Sequence, residues 1–171
     1  HTSANTSAWT LVELARYPDF GAEVTAEVDQ LFATETELSF RALRKMPLME
    51  GFIREILRAH PPLNALCRRV MQDFHYKDYC IEAGKNVMLS PYVAHRLPQY
   101  FPDPERFDPH RPEPGNVFAY IPFGGGQRKC VGNAFAILQV KTIFGTLLRD
   151  FEFELAGPPG DAAPPSPAGL E

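Results

Sequence analysis

Apolar side chains recur every three or four residues over the first sixty positions of this chain, and return at the same spacing after Cys130. Between these regions the pattern breaks into short runs rich in proline. Residues 1–16 read as a helix ended by Pro18. Residues 20–32 read as a second, with Phe20, Val24, Val28, Leu31 and Phe32 on one face. Ser39 is placed to cap a short third helix over 40–45, and Pro47 suits the first turn of a fourth that Pro61-Pro62 stops at about His60. From 66 to 90 the spacing shortens to β segments with Gly84 in a turn, followed by a brief helix over 91–96. Phe135, Leu138, Val140, Phe144 and Leu148 predict a helix to about Asp150, and residues 151–155 alternate like a strand. Residues 156–171, with five prolines and three glycines, are expected to form a disordered tail.

Eleven of the 17 prolines lie between Pro47 and Pro122, which predicts a long irregular but ordered segment ahead of Cys130. At 171 residues and 44% hydrophobic content the chain can bury a core of its own. A net charge of −4, with no basic run interleaved with aromatics, argues against nucleic acid as a partner. Cys67, Cys80 and Cys130 are odd in number and lack zinc spacing, so neither a disulfide framework nor a structural metal site is expected. No run approaches the length of a membrane span and no signal-peptide pattern opens the chain, although the sequence starts at His1 inside a helical pattern.

The chemistry concentrates in Phe123-Gly124-Gly125-Gly126-Gln127-Arg128-Lys129-Cys130-Val131-Gly132. A lone cysteine is by default a small buried hydrophobe. Here it ends a glycine loop where a helix begins, and the glycines let backbone approach a flat ligand while the helix start favours negative charge on sulfur. Such a cysteine suits thiolate ligation of haem iron. Glu55 and Arg58, three apart on the fourth helix, share a face; such a pair is ordinarily exposed, but the neighbours Ile53, Ile56 and Leu57 make this helix deeply apolar.

Phe123, Gly126, Arg128, Cys130 and Gly132 match Phe-x-x-Gly-x-Arg-x-Cys-x-Gly, which resembles the haem-binding signature of the cytochrome P-450 family. The resemblance extends over residues 1–155 and implies a mainly α fold with small β-sheets (α+β), present here as its C-terminal portion and incomplete for activity by itself. It implies haem b held by Cys130 as the iron ligand, by Phe123, Gly124, Gly126 and Gly132 of the loop, and by Arg68 and Arg128 on the propionates, with Arg69 a competing candidate beside Arg68. It joins Glu55, Arg58 and Arg106 of Pro104-Glu105-Arg106-Phe107 in a buried network behind the haem, and makes Leu63, Asn64, Ala65, Leu66 and Cys67 a wall of the substrate pocket.

His1-Thr2-Ser3, Trp9-Thr10 and His60-Pro61-Pro62-Leu63 resemble the sterol 14-demethylase branch. This implies proton handling by His1 and Thr2, dioxygen as co-substrate, a sterol-like substrate, and electrons from a ferredoxin or flavoprotein reductase. Another terpenoid or a fatty acid stays open as the substrate, since Asn64 is polar where such a wall is usually apolar, and a non-catalytic haem-binding role stays open because it would need Cys130 and Arg128 but not Thr2. A cytoplasmic enzyme of bacterial type is expected, the alternative being attachment to the endoplasmic reticulum through a segment outside this sequence. His75, His95 and His110 lack ligand spacing and read as surface or capping residues.

Overall fold

Proline sets the starts of three helices. The structure, a computed structural model, describes residues 1–153. Helices α1 (Thr2–Arg16) and α2 (Pro18–Phe32) are separated by Tyr17 alone, with Pro18 in the first turn of α2. Pro18 therefore does two jobs, ending one helix and opening the next with its fixed φ, and α2 begins before Phe20. Helix α3 (Phe40–Leu43) is capped by the Ser39 hydroxyl, which accepts from Ala42 N at 3.2 Å. Helix α4 (Pro47–Ala59) takes its N-terminal cap from a distance. Both carboxylate oxygens of Glu27 on α2 accept its first free amides, Leu48 N at 2.8 Å and Met49 N at 2.9 Å.

Strand β1 (Leu66–Arg69) pairs antiparallel with β4 (Asn86–Leu89), in register Leu66 with Leu89. Between them β2 (Phe74–Tyr76) and β3 (Tyr79–Ile81) form a separate hairpin. Gly84, at φ +85°, turns the chain back toward β4. Helix α5 (Pro91–Ala94) follows, capped by Ser90, and is shorter than its predicted span. After a long irregular segment come a 3₁₀ turn (Gly126–Arg128) and α6 (Asn133–Asp150). Residues 151–153 are irregular rather than a strand, and the remainder of that expected strand and the tail at 156–171 lie outside the described residues.

Helix α4 is the centre of the core. Met49, Phe52, Ile53, Ile56 and Leu57 are all buried on it, against Leu14 of α1, Val24, Val28 and Leu31 of α2, and Val140 and Phe144 of α6. Burial of side chains of this size stabilises by about 1.5–3 kcal/mol each. Gly51 marks where the irregular segment crosses α4. A Cβ there would stand 2.6 Å from Pro109 O, so only glycine admits this approach. Lys141 lies on the buried face of α6, its ammonium donating to Leu43 O at 3.0 Å and to Glu50 Oε2 at 2.6 Å.

Candidate functional site

The turn holding Cys130 is shaped by backbone bonds. Cys130 N donates to Phe123 O at 2.9 Å, closing the loop, while Gly124 N donates to Ile121 O and Lys129 N to Gly126 O. Gly124 and Gly126 sit at φ +74° and +67°, where a side chain costs about 1–2 kcal/mol. The helix after the cysteine begins at Asn133, with Gly132 at its cap position and an added Cβ on Gly132 3.9 Å from Cys130 Sγ.

Cys130 lines a cavity of about 510 Å³ between α1, α4, β1 and α6. Thr2, Ser3 and Thr6 face it from α1, and Leu63, Leu66 and Arg68 from the segment after α4. Phe123, Gly124, Arg128 and Gly132 line it from the loop, and Phe135, Ala136 and Val140 from α6. One sulfur, two guanidinium groups and a largely apolar wall make a donor set that fits haem: a soft ligand for iron, two forks for carboxylates, and hydrocarbon against the macrocycle. An added Cβ on Gly124 would lie 3.7 Å from Leu66 Cδ1, so that glycine also keeps the loop close to the wall of the cavity.

Other predicted residues fall elsewhere. Gly126 lines a neighbouring cavity with Lys129 and not the one that Cys130 lines. His1 is the exposed residue before α1, its carbonyl accepting from Asn5 N, and it does not line the cavity that Thr2 reaches. Of the expected pocket wall only Leu63 and Leu66 line that cavity. Cys67 is exposed and pairs with Met88 across the sheet, and Ala65 is exposed. Asn64 faces a different cavity, beside Trp9 and His60, while its carbonyl accepts from Ser90 Oγ at 2.8 Å.

Behind α4 the network differs from the expected one by one arginine. Arg58 donates through Nε to Glu55 Oε2 and through Nη2 to Glu55 Oε1, both at 2.8 Å, and through Nη1 to His95 O at 3.0 Å. Arg106 is absent from it as a side chain. Its guanidinium is 67% exposed and lies 3.8 Å from Asp108 Oδ2, and only its carbonyl takes part, accepting from Arg58 and Arg111. Arg111 takes the place assigned to it, with Nε 3.4 Å from Glu55 Oε1 and Nη2 donating to Asp103 O and Arg106 O. The chain reverses between the two, and the reversal turns the later arginine inward. Asp108 N completes the set on Glu55 Oε1 at 3.0 Å.

His95 corrects the surface half of its reading, since it is fully buried, while it does stand at the C-cap of α5. Ile121 N donates to its Nε2 at 2.9 Å, which leaves Nδ1 to carry the proton toward Arg58 O at 3.2 Å. Burial holds its pKa down to about 4, so the ring is neutral in the fold. It thereby ties the Arg58 helix to the backbone just before Phe123. Its position in a proline-rich turn concealed this. By contrast Glu13 and Lys141, both buried, could be read from charges falling on otherwise inward helix faces.

A family model for cytochrome P-450 matches residues 1–169. The chain is 47% identical over 165 residues to a sterol 14alpha-demethylase of Mycolicibacterium vanbaalenii, a match that covers 93% of this chain and 36% of that protein. It is 45% identical to the enzyme of the same name from Mycobacterium tuberculosis, over 93% of this chain and 37% of that protein. To the sterol 14-demethylase of Arabidopsis thaliana it is 40% identical, over 92% and 35%. The chain thus spans little more than a third of the length of these relatives. With the family model matched along nearly the whole chain, and the cysteine loop, Glu55 and Arg58 arranged around one core helix, the chain belongs to the cytochrome P-450 family.

Proposed function

We propose that the protein containing this chain is a haem-thiolate monooxygenase that removes the 14-methyl group of a sterol. The observation that carries this reading is the meeting of Cys130, Arg68, Arg128 and Thr2 on one largely apolar cavity. Bound haem supplies a redox-active iron at which dioxygen is activated for insertion of one oxygen atom into a C–H bond. Cys130 would hold that iron through its thiolate, and Arg68 and Arg128 would hold the propionates. Leu57, Leu66, Phe135 and Val140 line the same cavity and would shield a bound macrocycle from water. The Thr2 hydroxyl, which lines the same cavity from α1, would hold or move a proton there.

The sterol assignment rests on the similarity to the sterol demethylases and on the His1-Thr2-Ser3 run. Asn64 lines a separate cavity, so it does not set an amide into the wall against a fused-ring hydrocarbon. In this reading the electrons come from a ferredoxin or flavoprotein reductase and the enzyme acts in the cytoplasm. Among the described residues no helix is long and apolar enough to cross a membrane.

The test uses the full-length protein. Its reduced carbon monoxide adduct is expected to show the red-shifted Soret band of thiolate ligation, and Cys130→His to lose it. An unchanged band in that variant overturns the ligand assignment. Titration with a 14-methyl sterol is expected to bind in the micromolar range and to release formate on turnover. Fatty-acid hydroxylation with no response to such a sterol overturns the substrate and leaves the ligand standing.

A further inference from the structure

Helix α4 ends against two prolines that cannot complete it. The carbonyls of Leu57 and Arg58 would ordinarily accept from the amides four residues on, but those positions are Pro61 and Pro62, which have no N–H. Partners come instead from the residues after α5. His95 Nδ1 donates to Arg58 O at 3.2 Å, and Arg96 Nη2 donates to Ala59 O at 2.8 Å. Arg58 returns the contact through Nη1, which donates to His95 O at 3.0 Å. Each of these two side chains thus holds the other's backbone.

His95 has a further bond that the end of α4 does not need. Its Nε2 accepts from Ile121 N at 2.9 Å, and Ile121 O in turn accepts from Gly124 N at 2.9 Å. Two residues on, Phe123 O accepts from Cys130 N. Ile121 is therefore held at its amide by the imidazole and at its carbonyl by the loop, and Pro122 restricts its backbone further. Beside it, the Tyr120 hydroxyl donates to Arg54 O at 3.0 Å, one helical turn before Arg58. Tyr120 and Phe101 pack on the imidazole with ring centroids 5.2 and 6.2 Å away. Among the described residues, no other side chain bonds the backbone between 121 and 132.

We propose that His95 is a positioning residue for the Cys130 thiolate, holding Ile121, and through it the entry to the cysteine loop, at a fixed place on α4. The inference rests on the haem-thiolate reading above. The loop closes on itself through backbone bonds, so its placement against the rest of the fold is decided at its ends. Gly132 and α6 fix the far end, and His95 fixes the near one. A neutral imidazole suits this task because it presents one donor and one acceptor on opposite edges of a rigid ring. The helix carbonyl and the loop amide are then kept a ring's width apart. Burial opposes a second proton on the ring, and so do the charges of Arg58 and Arg96.

The experiment compares the full-length haem-loaded protein with two variants. His95→Leu fills the site and removes both bonds, whereas the amide of His95→Gln can donate to Arg58 O and accept from Ile121 N. Hydrogen exchange at Ile121 N–H is expected to be about tenfold faster or more in His95→Leu and close to wild type in His95→Gln. The iron–sulfur stretching band in resonance Raman spectra is expected to broaden and shift in His95→Leu, and to return in His95→Gln. A residue serving stability alone would lower the unfolding midpoint of His95→Leu and leave that band unchanged in its folded fraction, a result that overturns the proposal. Wild-type exchange at Ile121 in His95→Leu overturns it as well. Should His95→Leu hold no haem, His95→Gln decides: wild-type exchange and an unshifted band there support the positioning role, and a shifted band overturns it. A wild type without the red-shifted Soret band of its carbon monoxide adduct sinks the haem-thiolate reading instead.

Discussion

The two sides of α4 are built by opposite rules. On one side Glu55 and Arg58 are 3% and 2% exposed, and every charged atom of the pair has a partner, including carbonyls 37 and 48 residues away. On the other, the cysteine loop is held by three backbone bonds and two left-handed glycines, and the Arg128, Cys130 and Val131 side chains carry no bond that shapes it. The first side is a rigid anchor specified by charge. The second is a surface specified by backbone shape, with its side chains left free to meet a ligand. Changes to the anchor should therefore reach global stability, and changes to the loop should stay local.

The largest effect is expected for Arg58→Ala, which strands Glu55 as an uncompensated buried charge at a cost of about 3–5 kcal/mol. Denaturant unfolding of the full-length protein should show it, with loss of haem content. Arg58→Lys should recover little, since an ammonium cannot span both oxygens of Glu55. A loss under 1 kcal/mol in either variant would erase the distinction between the two sides.

The anchor should also carry a pH signature through His95. Its pKa is about 4 in the fold against an ordinary 6.5, so between those values the unfolded chain binds the extra proton. Stability is complete above pH 6.5, falls as pH drops below it, and levels off under pH 4, a total of about 3 kcal/mol at 1.4 kcal/mol per unit. The slope of unfolding free energy against pH should be shallower over this window in His95→Gln. Equal slopes would mean that the ring does not stay neutral between Arg58 O and Ile121 N.

A sharper division separates the two arginines near Glu55. Arg111→Ala should cost about 1–3 kcal/mol by removing a buried partner, whereas Arg106→Ala should fall within about 0.5 kcal/mol of wild type. Reversed values would restore the arrangement expected from Pro104-Glu105-Arg106-Phe107. The loop should show an effect smaller than the Arg58 anchor does. Gly126→Ala meets no atom within 4 Å, so only its positive φ opposes the change, at about 1–2 kcal/mol. Its unfolding midpoint should move slightly and its Soret band should report any change of the loop.

What was legible in the sequence was local. Helix α4, its Glu55 and Arg58 on one face, and the glycine-cysteine turn are each written in fewer than fifteen consecutive residues. Pro18 misled only about the start of α2, because proline both ends and opens helices. The errors lie where position depends on how an irregular segment folds back. Arg106 and Arg111 differ by five residues, and no periodicity says which turns inward. His95 looked like any turn histidine until residues 58 and 121 closed on it. Asn64 shares a short segment with Leu63 and Leu66, but the chain bends there and directs it to the opposite side of Pro62.

The carboxylate of Glu27 has a consequence for the order of events in folding. Helix α4 has no capping side chain of its own, and the amides of Leu48 and Met49 are satisfied from α2, some twenty residues earlier in the chain. A peptide of residues 47–60 alone should fray from its first turn. During synthesis α2 leaves the ribosome first, so the acceptor is already present when α4 emerges. If the bond forms as the two helices dock, Glu27→Gln should slow refolding as well as lower stability, and a variant that only unfolds faster would mean the cap closes late.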